Sequence, residues 1–344
     1  MAFNLDKVHR PKKLLTEALS RRRLLVSGAA GAGGLLLAGG NFGPGIPAAQ
    51  AASEMKGGQI PGWYRFKLGK FEITVLSDGS YELPTTLMAA NRPREEVKAF
   101  LAANFLPTET RTSHVNIPLI NTGSELILVD VGGGPNWMAT AGRLTDNLRA
   151  SGYEPEDVDK VVITHGHPDH IWGLIDEFEE APRFPNASYY ISSDEWDFWT
   201  TDRAERQLAE QFKGFAIGAK NQLPPLADKT TRLKPGAEIA PGIVTMATPG
   251  HTPGHISLVV NSGTETLIVS SDCMTHPYVS FEHPGWRSAT DLEQDKAEAS
   301  RRRLLDMAAT DKVLMLVYHV SYPGLGHVAR VGDAYRWVPA TWRW

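Results

Sequence analysis

The sequence predicts an α/β protein in which two sheets lie face to face with helices outside them. Three observations carry this expectation. Paired strands separated by tight turns open the body of the chain, and shorter apolar runs then alternate with helical stretches, a pattern suited to layered sheets. Hydrophobic residues make up 42% of the chain and charged ones 22%, an ordinary globular balance that excludes collagen, coiled coil and wholesale disorder. Most of the eleven histidines fall in short clusters just beyond apolar runs, as expected of side chains mounted at the ends of buried strands.

The elements follow in order. Trp63–Leu68 and Phe71–Leu76 read as strands joined by Gly69-Lys70. Val115–Asn121 and Glu125–Asp130 form a second pair across Thr122-Gly123, a hairpin signal. Helical periodicity runs from about Asn136 to Ala150, and Lys160–Thr164 is a short buried strand. Further strands are expected at Ser188–Ile191, Ile243–Ala247, Ile256–Asn261, Thr266–Ser270 and Val313–Tyr318. Thr290 and Glu293 match a capping box that opens a helix running to about Ala309. Within it, Arg301-Arg302-Arg303 reads as a solvated face. Pro84–Ser113 and Trp196–Asp228 stand apart as insertions over a working surface, and Trp196, Phe198, Trp199 and Phe215 are candidates to line an apolar pocket there.

The amino terminus is a different kind of polypeptide. Residues 1–51 carry seven basic side chains against Asp6 and Glu17, a balance of +5, so the remainder of this chain of net charge -4 carries -9. Ser20-Arg21-Arg22-Arg23-Leu24-Leu25 resembles the twin-arginine motif of bacterial export, no charge follows until after Ser53, and Ala49-Gln50-Ala51 suits cleavage. Gly31, Gly33, Gly34, Asn41, Pro44 and Pro47 weaken the alternative of a membrane-spanning helix. The expected organisation is a twin-arginine-type signal peptide over 1–51 and one domain over 52–344, exported to the periplasm or secreted, with no stable membrane insertion after cleavage. An acidic mature chain argues against nucleic acid as a partner. The one cysteine, Cys273, excludes an intrachain disulfide.

The histidine clusters carry the chemistry. Thr164-His165-Gly166-His167-Pro168-Asp169-His170 leaves a buried strand directly. Side chains two apart on an extended exit point the same way, so His165 and His167 can grip one metal. Beyond Pro168 the chain can turn, which lets Asp169 and His170 face a neighbouring one. Thr248-Pro249-Gly250-His251-Thr252-Pro253-Gly254-His255 is a Gly/Pro-rich loop that can present an imidazole rigidly. Asp272 and His319 each follow an apolar strand. Imidazoles and carboxylates suit zinc, with cobalt, manganese or iron as alternatives. An all-N/O set without a cysteine ligand points to catalysis rather than to a closed structural site. Cys273 itself is not counted as a ligand.

Together these motifs resemble the metallo-β-lactamase-fold superfamily, whose His-x-His-x-Asp-His hallmark is matched by His165, His167, Asp169 and His170. The resemblance covers roughly Trp63 to Val331. It implies an αββα sandwich with the site at one edge of two mixed sheets. It also implies two divalent metals, the first held by His165, His167 and His251, the second by Asp169, His170 and His319, with Asp272 between them. The expected reaction is hydrolysis by a metal-bridging hydroxide, with Asp169 passing a proton to the leaving group.

His114-Val115-Asn116, Leu126–Gly132 and His319–His327 resemble the methyl-parathion-hydrolase-like branch and related acyl-homoserine lactonases, in which Asp130 corresponds to a supporting aspartate that does not ligate. Several such lactonases carry a tyrosine three residues after the bridging aspartate, where it supports the carbonyl oxygen. Here that place is Thr275, so His276 or Tyr278 is the candidate replacement. His255, His283 and His327 read as supporting or structural. The leading expectation is a hydrolase of lactones or other esters acting on a small molecule, with a homodimer allowed. Phosphotriesterase activity ranks next, then thioesterase or β-lactamase, and a non-enzymatic metal-binding protein last.

Overall fold

Residues buried on both sides of a strand read as continuous apolar runs, and such runs form the middle of this molecule. The computed structural model describes residues 62–176 and 178–342. The expected export leader therefore lies outside the described residues. No helix among the described residues is long and apolar enough to cross a membrane.

The first sheet begins with β1 (Trp63–Leu68), β2 (Phe71–Pro84), β3 (Thr110–Asn121), β4 (Leu126–Val129) and β5 (Lys160–Ile163). A two-stranded ribbon, β6 (Ile175–Asp176) and β7 (Ala181–Pro182), precedes β8 (Ser188–Ser192) and β9 (Thr230–Leu233), which complete the sheet in the order β1-β2-β3-β4-β5-β8-β9. The second sheet runs in chain order through β10 (Glu238–Ala240), β11 (Ile243–Ala247), β12 (Ile256–Ser262), β13 (Glu265–Val269), β14 (Leu314–Leu316), β15 (Leu325–Val331) and β16 (Ala334–Pro339). Both sheets are mixed: β4, β5, β8 and β9 run parallel, as do β13 and β14, and the other pairs are antiparallel.

Period-two alternation distributes the apolar side chains between layers. Ile127, Val129 and Val162 of the first sheet meet Leu258, Val260, Leu267 and Val269 of the second. Their neighbours Leu126, Leu128, Val161 and Ile163 point outward instead. There they meet Leu144 and Leu148 of one helix and Phe198 and Trp199 of another. On the far side, Ile268 and Met315 pack against Leu304, Leu305 and Ala308. The layers are thus helix, sheet, sheet, helix. The helices are α1 (Arg94–Ala103), α2 (Leu144–Ala150), α3 (Pro168–Ile171), α4 (Ser193–Thr200), α5 (Arg203–Gln207), α6 (Lys213–Gln222), α7 (Val279–Glu282) and α8 (Gln294–Asp311).

Four expectations need correction. The helix placed from Asn136 starts at Leu144: Gly142 has φ 80°, outside the helical region, and the Asp78 carboxylate accepts from Leu144 N at 2.8 Å at the helix start. The strand begun at Phe71 continues to Pro84 and pairs with β3 as far as Thr110, past a register shift between Ser77 and Gly79. Much of the expected insertion over Pro84–Ser113 is therefore flanked by a long two-stranded arm. Helix α8 begins without a capping box; Gln294 instead donates to the carbonyls of Ser288 and Asp291. Finally, Arg301 is no part of a solvated face, being 3% exposed.

Candidate metal centre

Each element delivers its functional side chain for a local reason. The chain leaves β5 extended, so His165 and His167 project together, with Gly166 between them. A Cβ at Gly166 would lie 2.4 Å from the Trp199 indole, so only glycine lets the strand exit pass. Pro168 then opens α3, where its fixed φ is already helical. One turn carries Asp169 and His170 into a second group with His319. In the second sheet, Gly250 (φ 132°) presses against the backbone of Ala297 and shapes the loop that presents His251. Ser271, at φ 47°, turns the chain out of β13 and presents Asp272, a strained position of the kind that accompanies functional sites. His319 follows β14.

The structure brings all seven expected ligands together. His165, His167, His251 and Asp272 form one group and Asp169, His170 and His319 a second, with the ligand atoms of each group within 4.8 Å of one another. Asp272 stands between the groups: its Oδ2 lies 3.3 Å from His251 Nε2 and 3.0 Å from His319 Nε2, and its Oδ1 lies 3.3 Å from His170 Nε2. Asp169 Oδ2 is 3.3 Å from His319 Nε2 and 3.6 Å from His170 Nε2.

The donors fit divalent ions. His167 Nδ1 faces His165 Nε2 at 3.0 Å and His251 Nε2 at 2.9 Å. A ring nitrogen has one lone pair or one N–H, so it serves only one such contact well, whereas three lone pairs converging on a cation are all satisfied. His170 Nε2 and Asp272 Oδ1 are buried without a hydrogen-bond partner among the described residues. Burial first, then the positive fields of neighbouring histidines, pushes His165 and His167 well below the usual range, leaving neutral imidazoles. Burial also opposes charge on His170, but Asp169, Asp272 and Asp130 outweigh it and hold that ring well above the usual range. Positive charge is therefore favoured between these carboxylates.

Behind the ligands lies a layer of buried partners that fixes ring orientation. Asp130 accepts from Thr164 N at 2.8 Å and Thr164 Oγ1 at 2.7 Å, and its Oδ2 lies 2.8 Å from His170 Nδ1. Asp291 lies 2.9 Å from His251 Nδ1 and is itself held by Arg301 Nη2 at 2.9 Å. Arg301 also donates to the carbonyls of Cys273 and Pro284. His319 Nδ1 lies 2.8 Å from the carbonyl of His114. His255 receives the Asp272 backbone N–H at 3.2 Å, so it supports rather than ligates. Glu195 accepts from Gly166 N, Thr252 Oγ1, Gly254 N and the Trp199 indole, tying the His165–His167 segment to the His251 loop.

Of the other side chains singled out in the sequence, Trp199 and Phe215 pack against a member of the two groups. His276 is buried at the start of α7, where its Nδ1 accepts from the backbone of Tyr278 and Val279. Burial pushes it down to about 3, and it is neutral. Tyr278 is half-buried beside it, with the two rings 6.2 Å apart, and His276 is not among the residues of the two converging groups. Cys273 is buried, and burial raises its thiol to about 12, unlike a metal-binding thiolate. His283 stacks on Trp286, and His327 is exposed. Trp196 and Phe198 are core residues, whereas Trp199 and Phe215 pack 5.5 and 5.7 Å from the His167 ring. Sequence reasoning missed Tyr81, whose hydroxyl donates to Asp169 Oδ2 at 2.7 Å. It also missed Glu195, Asp291 and Arg111. No local pattern marks these four, because each meets the site through a contact distant in sequence.

Sheets, strand-end loops and paired His/Asp groups define a metallo-hydrolase. Residues 110–319 match the metallo-beta-lactamase superfamily, and the chain belongs to it. It is similar to an N-acyl homoserine lactonase of Bacillus sp., 26% identical over 53% of this chain and 64% of that one, so just under two thirds of that relative is spanned. It also matches human metallo-beta-lactamase domain-containing protein 1, 29% identical over 64% of this chain and 68% of the other. Among solved structures, AidC, a dizinc quorum-quenching lactonase in complex with a product, superposes with a TM-score of 0.77 at 29% identity, covering 82% of this chain and 98% of AidC. The hydrolase AbOPH gives the same TM-score at 28% identity, covering 83% and 100%.

Proposed function

We propose that this chain is a dinuclear hydrolase of lactones or related carboxylic esters. The observation that carries the reading is the pair of adjacent ligand groups sharing Asp272. Similarity to lactonases supports the carbonyl substrate. In this reading His165, His167 and His251 hold one divalent ion, Asp169, His170 and His319 a second, and Asp272 lies between; zinc is the ion we favour. When bound, such ions supply a nucleophilic water of lowered pKa and Lewis acidity toward the substrate oxygen.

The protein's own part is orientation, exclusion of water and proton handling. Asp130, Asp291 and the His114 carbonyl face the Nδ1 atoms of His170, His251 and His319, so that each Nε2 presents its lone pair inward. Tyr81 steadies the Asp169 carboxylate, which takes up a proton and hands it to the leaving oxygen. An aromatic wall joins the two ligand groups: Phe215 lies 5.7 Å from His167, Trp137 5.5 Å from Phe215, and Tyr81 5.9 Å from Trp137. An apolar acyl tail placed along this wall would shed water from the reacting carbonyl. Export through the twin-arginine signal belongs to the same proposal, and unchanged export of an Arg21→Lys, Arg22→Lys protein would remove it.

The test is a panel of γ-lactones of graded acyl length, aryl esters, phosphotriesters and a β-lactam on zinc-loaded protein. Lactone or ester turnover that disappears in Asp272→Ala is expected. Hydrolysis of phosphotriesters with no lactone or ester turned over would overturn the reading.

A further inference from the structure

Strands β2 and β3 extend beyond the sheet as an arm, and its register places Tyr81 opposite Ser113 and Leu83 opposite Arg111. Opposed residues, and residues two apart, share a face of the ribbon. Tyr81, Ser113 and Arg111 therefore point to the same side. That side covers the metal centre, since Tyr81 donates to Asp169, and the ribbon itself passes close to the second ligand group, where the carbonyl of His114 faces His319 Nδ1. Arg111 is anchored from across the site, its Nη1 donating to the carbonyl of Thr275 at 2.6 Å, three residues beyond Asp272. The guanidinium is thus bracketed between the Tyr81–Asp169 contact and the turn that presents Asp272.

Two donors on this face are unused. Arg111 Nε and Ser113 Oγ are buried and have no hydrogen-bond partner among the described residues. A buried donor left unsatisfied keeps its desolvation penalty without return, so such groups call for a partner. Burial lowers the guanidinium below the usual arginine range, against the opposing fields of Tyr81, Asp272 and Asp169. A fixed cation beside a hydrolytic centre, with an N–H to spare, suits an oxygen that gains negative charge.

Resting on the hydrolase reading above, we propose that Arg111 is a catalytic residue whose Nε–H donates to the substrate's carbonyl oxygen as it becomes an oxyanion, and afterwards to the product carboxylate. The balance is simple. A water oxygen adds to the carbonyl carbon, and the C=O π pair moves onto the carbonyl oxygen facing Arg111. That pair returns as the carbon–oxygen bond to the leaving group breaks; the leaving oxygen takes one of the water's two protons, and the other is lost to solvent as the product acid ionises to its carboxylate. Arg111 keeps its own protons throughout. Ser113 Oγ, on the same face, is the second donor. The cradle selects substrates that end as carboxylates. It also assigns to Arg111 the support that the sequence alone assigned to His276 or Tyr278, and His276 Nδ1 is already engaged by the backbone.

Zinc-loaded wild type, Arg111→Ala, Arg111→Lys and Tyr278→Phe are compared on the best lactone or ester. Loss of one oxyanion donor lowers kcat by about 10²–10³, so Arg111→Ala should lose that much with KM moving far less. Added guanidinium should recover part of the Arg111→Ala loss, Arg111→Lys should not recover it, and the Arg111→Ala loss should exceed that of Tyr278→Phe, an equal or larger Tyr278→Phe loss returning the role to Tyr278. Equal metal content across the set keeps the effect apart from ligand loss. Arg111→Ala and Arg111→Lys that both retain kcat, or a loss confined to KM or to metal content, would overturn the proposal. Calorimetric binding of hexanoate, a stand-in for the product carboxylate, gives a readout free of turnover: wild type should bind about tenfold or more tightly than Arg111→Ala. If no lactone or ester is hydrolysed, the hydrolase reading falls and hexanoate binding alone decides Arg111; equal binding by the two proteins removes it.

Discussion

Replacing Asp130 by Asn changes one atom and should weaken one metal position while sparing the other. Asp130 is fully buried and uses both oxygens: Oδ1 accepts from Thr164 N at 2.8 Å, and Oδ2 faces Thr164 Oγ1 at 2.7 Å and His170 Nδ1 at 2.8 Å. The backbone N–H of Thr164 can only donate, so the Asn oxygen must take the Oδ1 place. The amide nitrogen then faces His170 Nδ1, which must become an acceptor, and the ring proton moves to Nε2. That nitrogen points at Asp272 Oδ1, 3.3 Å away, and its lone pair is lost to any ion. Loss of such a supporting partner costs 10–100-fold in metal affinity, about 1.4–2.7 kcal/mol. Competition with a chromophoric chelator should show one site weakened by that factor. The other, served by His165, His167 and His251, should hold. Two unchanged affinities in a folded Asp130→Asn protein would refute the tautomer argument.

Two further outcomes follow from buried groups outside the ligand set. Burial pushes Asp78 up to about 6 from 3.8, against the pull of its bonds to Gly133, Leu144 and Gly142, so between those values the folded state binds the extra proton. Stability from this group is therefore full below about pH 4 and declines as pH rises through 6, by an amount on the order of 3 kcal/mol; urea titrations of wild type and Asp78→Asn should diverge across that window, and a difference that is flat from pH 4 to 7 would contradict the shift. Cys273 should ignore a disulfide reagent at pH 8 in the native protein and react once unfolded, since burial holds its thiol near 12; prompt reaction of the native protein would show the side chain to be accessible.

The strands that were legible in the sequence are those whose two ends are marked by turn residues. Ile243–Ala247 and Trp63–Leu68 match their expected bounds because apolar runs and turn residues mark both ends. The second half of β2 escaped notice because Ser77-Asp78-Gly79-Ser80 reads as a turn. In the structure Gly79, at φ 116°, sits at a register shift that lets the strand resume. The ligand set was legible because its spacing is local or lies just past an apolar strand. Supporting residues obey no such rule. Arg301 differs from Arg302 and Arg303 only in the face of α8 it occupies; that face is buried with Ala297, Leu304 and Ala308, and Asp291 pairs the charge there. Tyr81 and Arg111 reach the site across 88 and 164 residues, and only pairing of β2 with β3 brings them onto one face.

The centre is divided between the two sheets, and this has an energetic consequence. His165, His167, Asp169 and His170 follow β5 in the first sheet, while His251, Asp272 and His319 leave strands of the second. Polar ties already bridge the sheets here: Ile256 N donates to Thr164 O at 3.1 Å, and Thr164 Oγ1 lies 2.8 Å from Ser271 Oγ. Glu195 adds a third tie by joining Gly166 to Gly254. Ligand atoms are thus held near one another by the protein itself, and ions bound between them cross-link two layers that otherwise share mainly apolar contacts. A ligand present at 1,000 times its Kd stabilises the folded state by about 4 kcal/mol. Because the ligands are split, that stabilisation should reach both sheets. Amide exchange measured with and without zinc should slow in β5 and in β12–β14 together. Protection confined to one sheet would mean that the ions are held by one layer's residues alone, and the shared position of Asp272 would lose its meaning.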